Sequence, residues 1–349
     1  MKGHSQHILL CVLALTFHLL PFTSLKAQVA GLNTLTLLDL GSAARTSGIG
    51  FDYLSVYDAD ATLALDNPSL LHRDMSRTAS LSVVTLFEGG AMGSLSYVHD
   101  FGRIGPMQFA FRFYNYGSFR AFDEEETAQG EFNAADYALS IGWAMAIDSH
   151  FAIGVNLKPV LSQYEQYKAV ALAFDLAVSY FSADRRLAAT VMGRNVGAQV
   201  STFDGAVEGI PFELSAQVSY KLERAPFRFF LAATELQRWD LRYNDPRYPT
   251  IETDPFTGAV TKESAVGGFI DNLLRHALVG VELGISKALF ARVGYSYRQT
   301  MEMRGVDAFN LSGLSFGIGI RTRKFEFSYA HRNYHLSQAP NFFTLSYRF

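Results

Sequence analysis

Ala138-Leu139-Ser140-Ile141-Gly142-Trp143-Ala144-Met145-Ala146-Ile147 alternates without a break. Successive side chains of a strand point to opposite faces. Leu139, Ile141, Trp143, Met145 and Ile147 therefore share one face, and Ala138, Ser140, Gly142, Ala144 and Ala146 the other. A strand with one large apolar face and one small or polar face separates two environments. Residues 289–298 repeat the pattern, with Ala291, Val293, Tyr295 and Tyr297 against Arg292, Gly294, Ser296 and Arg298. So do residues 212–221, where Phe212, Leu214, Ala216, Val218 and Tyr220 alternate with Glu213, Ser215, Gln217, Ser219 and Lys221.

A soluble sandwich also alternates, so length and loop rhythm have to decide. About fourteen runs begin near residues 79, 91, 105, 134, 151, 168, 187, 211, 226, 275, 289, 310, 324 and 341. A tilted strand needs roughly 9 to 11 residues to cross a bilayer, and an even number suits a closed barrel. Connections at 102–104, 148–150, 182–186, 223–225, 286–288 and 322–323 are tight, whereas 118–133, 197–210, 238–274 and 301–309 read as long loops. Short turns on one side and long loops on the other predict an all-β, transmembrane antiparallel barrel over residues 79–349, its turns periplasmic and its loops at the cell surface.

Composition agrees. Of 349 residues 49% are hydrophobic and 14% aromatic, with 29 Phe and 17 Tyr, while only 18% are charged. Such a chain is too apolar for disorder. A net charge of −3 without a Lys/Arg cluster argues against nucleic acid as partner. Residues 1–27 read as a signal peptide, with Lys2, an apolar run from Ile8 to Leu20, and a cut after Ala27. The one cysteine, Cys11, lies within it, so the mature chain has no thiol chemistry. Residues 28–78 break the alternation and read as a small plug or periplasmic cap. At the far end Phe343, Leu345, Tyr347 and Phe349 form an apolar face at period two, similar to the assembly signal of outer-membrane barrels.

The stretch from Leu37 to Leu71 carries a signature: Ser42, Ala43 and Arg45, then Gly48 and Gly50, then Asp58 and Asp60, then Asn67-Pro68. It resembles the PorQ family, barrel components of the Bacteroidota type IX secretion system related to PorV and more distantly to the fatty-acid channel FadL. Ser69, where alanine is usual, and Thr46-Ser47, where apolar residues are usual, depart from the pattern. The resemblance implies a non-enzymatic outer-membrane role in an attachment complex with PorU and PorV. There the chain would tether a PorZ-like surface partner, so that cargo is processed and joined to lipopolysaccharide. The alternative it leaves open is a FadL-like channel for a hydrophobic small molecule.

Other motifs carry less. Gly313-Leu314-Ser315-Phe316-Gly317 matches a nucleophile elbow, but that chemistry needs a sharp strand-to-helix turn and this serine lies mid-strand. His331 and His335 lack a third ligand, and Asp58 and Asp60 lack the glycine and closing glutamate of a calcium loop, so turn or capping duty is expected. No metal and no cofactor is expected. The acidic run 123–126 reads as a solvated tip. Trp239, Tyr243, Tyr248 and Phe256 in the longest loop are residue types that interfaces enrich, which makes that loop the expected docking surface. Arg112, Asp175, Arg194, Lys221, Arg228, Glu282, Arg298 and Arg348 fall mostly on polar faces, and a lumen crossed by paired charges would favour a closed scaffold over a pore.

Overall fold

The computed structural model describes residues 35–86, 90–122, 127–242, 252–253, 260–261, 264–303, 311–333 and 339–349. Fourteen strands form one closed antiparallel barrel. They are β1 (Thr78–Thr85), β2 (Ala91–Asp100), β3 (Pro106–Phe122), β4 (Ala128–Ala146), β5 (Phe151–Tyr164), β6 (Tyr167–Phe181) and β7 (Leu187–Ser201). The circuit continues with β8 (Glu213–Lys221), β9 (Phe227–Ala233), β10 (Ala277–Gly284), β11 (Leu289–Ser296), β12 (Leu314–Arg321), β13 (Phe325–Arg332) and β14 (Asn341–Arg348). Each strand pairs with its sequence neighbours, and β1 closes on β14 with Thr78 opposite Arg348 and Leu81 opposite Leu345. Closure leaves no edge strand, so the barrel satisfies its own ladder in lipid.

The deciding stretch sits in β4, where Leu139 is 54% exposed and Ala138 1%. Large apolar side chains thus face outward and small or polar ones inward, the pattern of a barrel in lipid. The wall is uneven: β3 to β7 run 14 to 19 residues, whereas β8 to β14 run seven to nine.

Several boundaries differ from expectation. Residues 118–122 and 128–133 belong to strands, because Ser118 pairs with Asn133 and Phe119 with Phe132, whose rings stack at 5.5 Å and carry the hairpin onward. β7 likewise continues through Ser201. Within 238–274, α3 (Ala265–His276) forms, with the Ser264 hydroxyl accepting from Gly267 N and Arg275 and His276 in the last turn, where the dipole favours them. Tyr297 and Arg298 are helical, in α4 (Tyr297–Glu302), since Ser296 caps Gln299 N and ends β11.

Residues 35–77 pack inside the barrel as an inner segment, or plug, against inward-facing residues of the strands such as Ser94, Gly154, Gly294 and Thr344. Its short helices include α1 (Ala44–Ser47) and α2 (Leu63–Asp66). Ile49, Phe51, Leu54, Leu63, Leu70 and Met75 are fully buried. Glycines on the wall let its backbone approach. A Cβ on Gly294 would lie 1.6 Å from Ile49 O, and one on Gly154 would lie 2.2 Å from Ser69 N. Gly48 faces Gly317 in the same way, with its own added Cβ 3.0 Å from Gly317 Cα.

Candidate functional site

The charged interface between plug and wall is the candidate site. Arg45, on α1 and 2% exposed, stands at its centre. Its Nη2 lies 2.7 Å from Asp58 Oδ2, its Nη1 3.1 Å from Asp60 Oδ2 and its Nε 3.2 Å from Glu282 Oε2 on β10. Glu282 also takes Arg292 Nε from β11 at 2.9 Å and Arg228 Nη1 from β9 at 3.4 Å. Three arginines therefore balance three carboxylates where one plug helix meets three strands. Burial pushes the Asp58 carboxyl up, but Arg45 and Arg321 outweigh it and hold the group well below the usual carboxylate range.

A second set of pairs lies on the other strands. Arg112 on β3 donates to Asp66 of α2 at 2.8 Å, and Arg332 on β13 donates to Asp52 at 2.9 Å. Lys158 on β5 pairs with Asp175 on β6 at 2.6 Å, and Arg194 on β7 with Glu213 on β8 at 3.1 Å. At Asn195, φ is +55° and the β6–β7 register shifts, so that Arg194 and Asn195 are both buried. Asn195 N then donates to Asp175 Oδ1, and its side-chain amide to Leu38 O and Pro211 O, which ties the bulge to the plug.

Chemically this arrangement holds rather than reacts. Removing one member of a buried pair strands its partner's charge, at a cost of about 3–5 kcal/mol. Polar cavities of about 110 Å³, beside Arg321 and Arg348, and about 100 Å³, beside Asp52 and Arg298, border the network. A larger one of about 380 Å³ opens at the long-loop rim, between Trp239, Phe269, Gly268 and Asn272.

Among the signature residues, Ser42 Oγ lies 2.9 Å from Ser94 Oγ, Ala43 precedes α1, and Gly48 and Gly50 are points of close approach to Gly317 and Ser315. Asn67 Nδ2 donates to Leu54 O, and Pro68 begins the turn that presses on Gly154. Asp58 and Asp60 exceed the turn duty expected of them. Asp60 Oδ1 does accept from Thr62 N, yet both carboxylates are chiefly counter-ions of Arg45. Trp239 is 57% exposed, its ring centroid 5.6 Å from that of Phe269. Tyr243, Tyr248 and Phe256, the run 123–126, His335 and residues 1–27, where a signal peptide is expected, lie outside the described residues. Phe343, Leu345 and Phe349 face outward, and Tyr347 contacts Phe325 and Phe349. His331 bonds Asn341, and Ser315 lies within β12. Lys221 is exposed at the end of β8 instead of lumenal, and Arg298 pairs with Glu235 from α4. Arg348 donates to Ala59 O at the short-turn end.

Sequence reasoning missed Asp52, Lys158, Asn195, Arg292 as an ion-pair residue, and Arg332. Lys158 carried a usable signal, since Asn156, Lys158 and Ser162 share the inward parity of β5. Asn195 did not, because a bulge breaks the period that the reading relies on.

No family model matches the chain, and no curated protein does. Solved structures do. A mutant of the monoaromatic hydrocarbon channel TodX superposes with a TM-score of 0.52 at 13% identity, covering 88% of this chain and 99% of that one. The Pseudomonas putida toluene transporter TodX gives 0.50 at 12% identity, covering 90% and 97%. A FadL homologue from Pseudomonas aeruginosa gives 0.47 at 10% identity, covering 87% and 97%. At these identities the likeness is one of architecture. The chain has a fourteen-stranded antiparallel barrel fold, which it shares with TodX over about nine-tenths of its length.

Proposed function

We propose that this chain is a non-enzymatic, plugged outer-membrane channel for a small hydrophobic molecule. The observation that carries the reading is a closed barrel whose likeness to a hydrocarbon channel spans about nine-tenths of this chain and nearly all of that one. The aromatic-walled opening at the rim, between Trp239 and Phe269, supports it as a point of first capture. Pockets for small ligands combine apolar walls with a few placed polar groups, and Asp240, Arg242 and Ser264 line this one as well. Passage then requires the plug to shift, because the lumen is spanned by its ion pairs.

Those same ion pairs support a second reading, the type IX attachment role that the signature resemblance implies. In that reading the barrel stays shut and a PorZ-like protein docks on the rim around Trp239. Uptake of toluene by proteoliposomes, measured beside affinity purification from gently solubilised outer membrane, separates the two. Uptake that saturates and falls on Trp239→Ala supports the channel. Absent uptake, with a surface protein recovered from the native chain and lost on Trp239→Ala, supports tethering and overturns the channel.

A further inference from the structure

We propose that α3 (Ala265–His276) is a membrane-interface helix, its apolar face buried in the lipid leaflet at the long-loop end and completing the barrel's lipid-facing belt where the wall is too short. Val266, Phe269, Ile270, Leu273 and Leu274 recur at spacings of three and four, so they form one stripe, and each is between 41% and 69% exposed. The opposite side is spent on the protein. Asn272 accepts from Leu241 N, His276 contacts the carbonyls of Thr234 and Trp239, and Asp271 accepts from Arg275 and Tyr297. The helix is thus fixed by its polar face and turns its apolar face away from the barrel. An apolar stripe so exposed marks an interaction surface.

Two observations identify lipid as the occupant. First, α3 runs directly into β10, and the stripe is continuous with the lipid-facing ladder. Leu274 is followed by Ala277 and Val279, and outward-facing Val279 pairs with outward-facing Leu231 on β9. Leu236 and Trp239, both exposed, flank the junction. Second, β9 has seven residues and β10 eight. At about 3.3 Å per residue and a tilt near 40°, seven residues rise only about 18 Å, against an apolar band of roughly 25 Å. The shortfall of about 7 Å falls within the diameter of one helix with its side chains, about 10 Å. An interfacial helix lies with its apolar face about 5–10 Å into the headgroup and acyl boundary, which places α3 where the wall runs out. The proposal needs only the membrane barrel, and holds whether the chain transports or tethers.

The test uses the full chain in phosphatidylcholine vesicles. Trp143 and Trp239 are the only tryptophans. Replacing both with Phe and making Phe269→Trp or, separately, Leu273→Trp puts one reporter on the stripe at an exposed site. Lipid brominated at the 6,7 positions is expected to quench roughly half of the emission of either reporter, with little quenching by aqueous iodide, because the ring lies at the shallow acyl level. Quenching by iodide instead would show a stripe standing in water. Protection from both quenchers would show a stripe covered by protein. Either result overturns the assignment.

Discussion

Replacing Arg45 with alanine should unseat the plug without harming the wall. Arg45 is the shared cation of Asp58, Asp60 and Glu282. Without it Glu282 keeps Arg292 at 2.9 Å and Arg228 at 3.4 Å, but Asp60 is left with Arg321 at 4.0 Å, and Asp58 with Arg228 at 3.7 Å and the longer-range attraction of Arg321. The loss therefore falls on the plug's two aspartates. Stranding buried charge costs about 3–5 kcal/mol, which raises the population of unseated plug by roughly two to nearly four orders of magnitude. The ladder hydrogen bonds of the barrel are untouched, so heat-modifiable migration on a detergent gel should persist. In planar bilayers the native chain should be nearly silent, and Arg45→Ala should show frequent opening events. Asp60→Asn added to Arg45→Ala removes the excess negative charge while an amide oxygen still serves Thr62, and should restore much of the silence. An Arg45→Ala chain as quiet as the native one, with its plug equally resistant to protease, would refute this account of what holds the lumen shut.

Three further outcomes follow. Gly294→Val should also open the lumen, because its Cβ would occupy the place of Ile49 O, and a quiet channel in this variant would mean that the seat is misassigned. Removing Phe349 together with Tyr347→Ser strips aromatic area from the outward face, about 1–2 kcal/mol for each half-exposed ring, and should deplete the heat-modifiable band in outer-membrane fractions; unchanged yield would show those rings to be dispensable. Because the Asp58 carboxyl is held below its usual value of 3.8, its contribution is complete above that pH and is lost only as pH falls through the lower folded value; bilayer conductance should stay low at pH 5 and rise only well below pH 4, and opening between pH 6 and 5 would contradict the ion-pair assignment.

The strands were legible because lipid enforces a period-two pattern that survives in every crossing. The predicted starts at 91, 151, 187, 289 and 341 coincide with β2, β5, β7, β11 and β14. The far end of the β3–β4 hairpin was not legible, since Ser118 to Phe122 alternates poorly and is held by cross-strand pairing and by the Phe119–Phe132 stack, which no local period records. Tyr297 and Arg298 continued the alternation of β11, yet a single serine cap turned the chain helical there. For the site, inward charges such as Arg194 and Glu282 could be placed on a face from parity. Which charge on the plug meets which on the wall depends on packing between segments more than 200 residues apart, as for Arg45 and Glu282, and no local pattern records it.

The seam of the barrel has a consequence for how it is made. Ala44 N, near the start of the described chain, donates to Thr344 Oγ1 on the last strand, across 300 residues, while β1 and β14 zip together beside it. The plug is synthesised before any strand, but its final partner arrives with the last one. Contacts of such sequence separation form slowly, so the open sheet must wait with an unfinished edge. The plug, lying inside the curl of that sheet, is a template on which the final strand can register before the circle shuts. Assembly would then be checked at its last step: a chain cut short of β14 leaves both the seam unzipped and Ala44 without its partner.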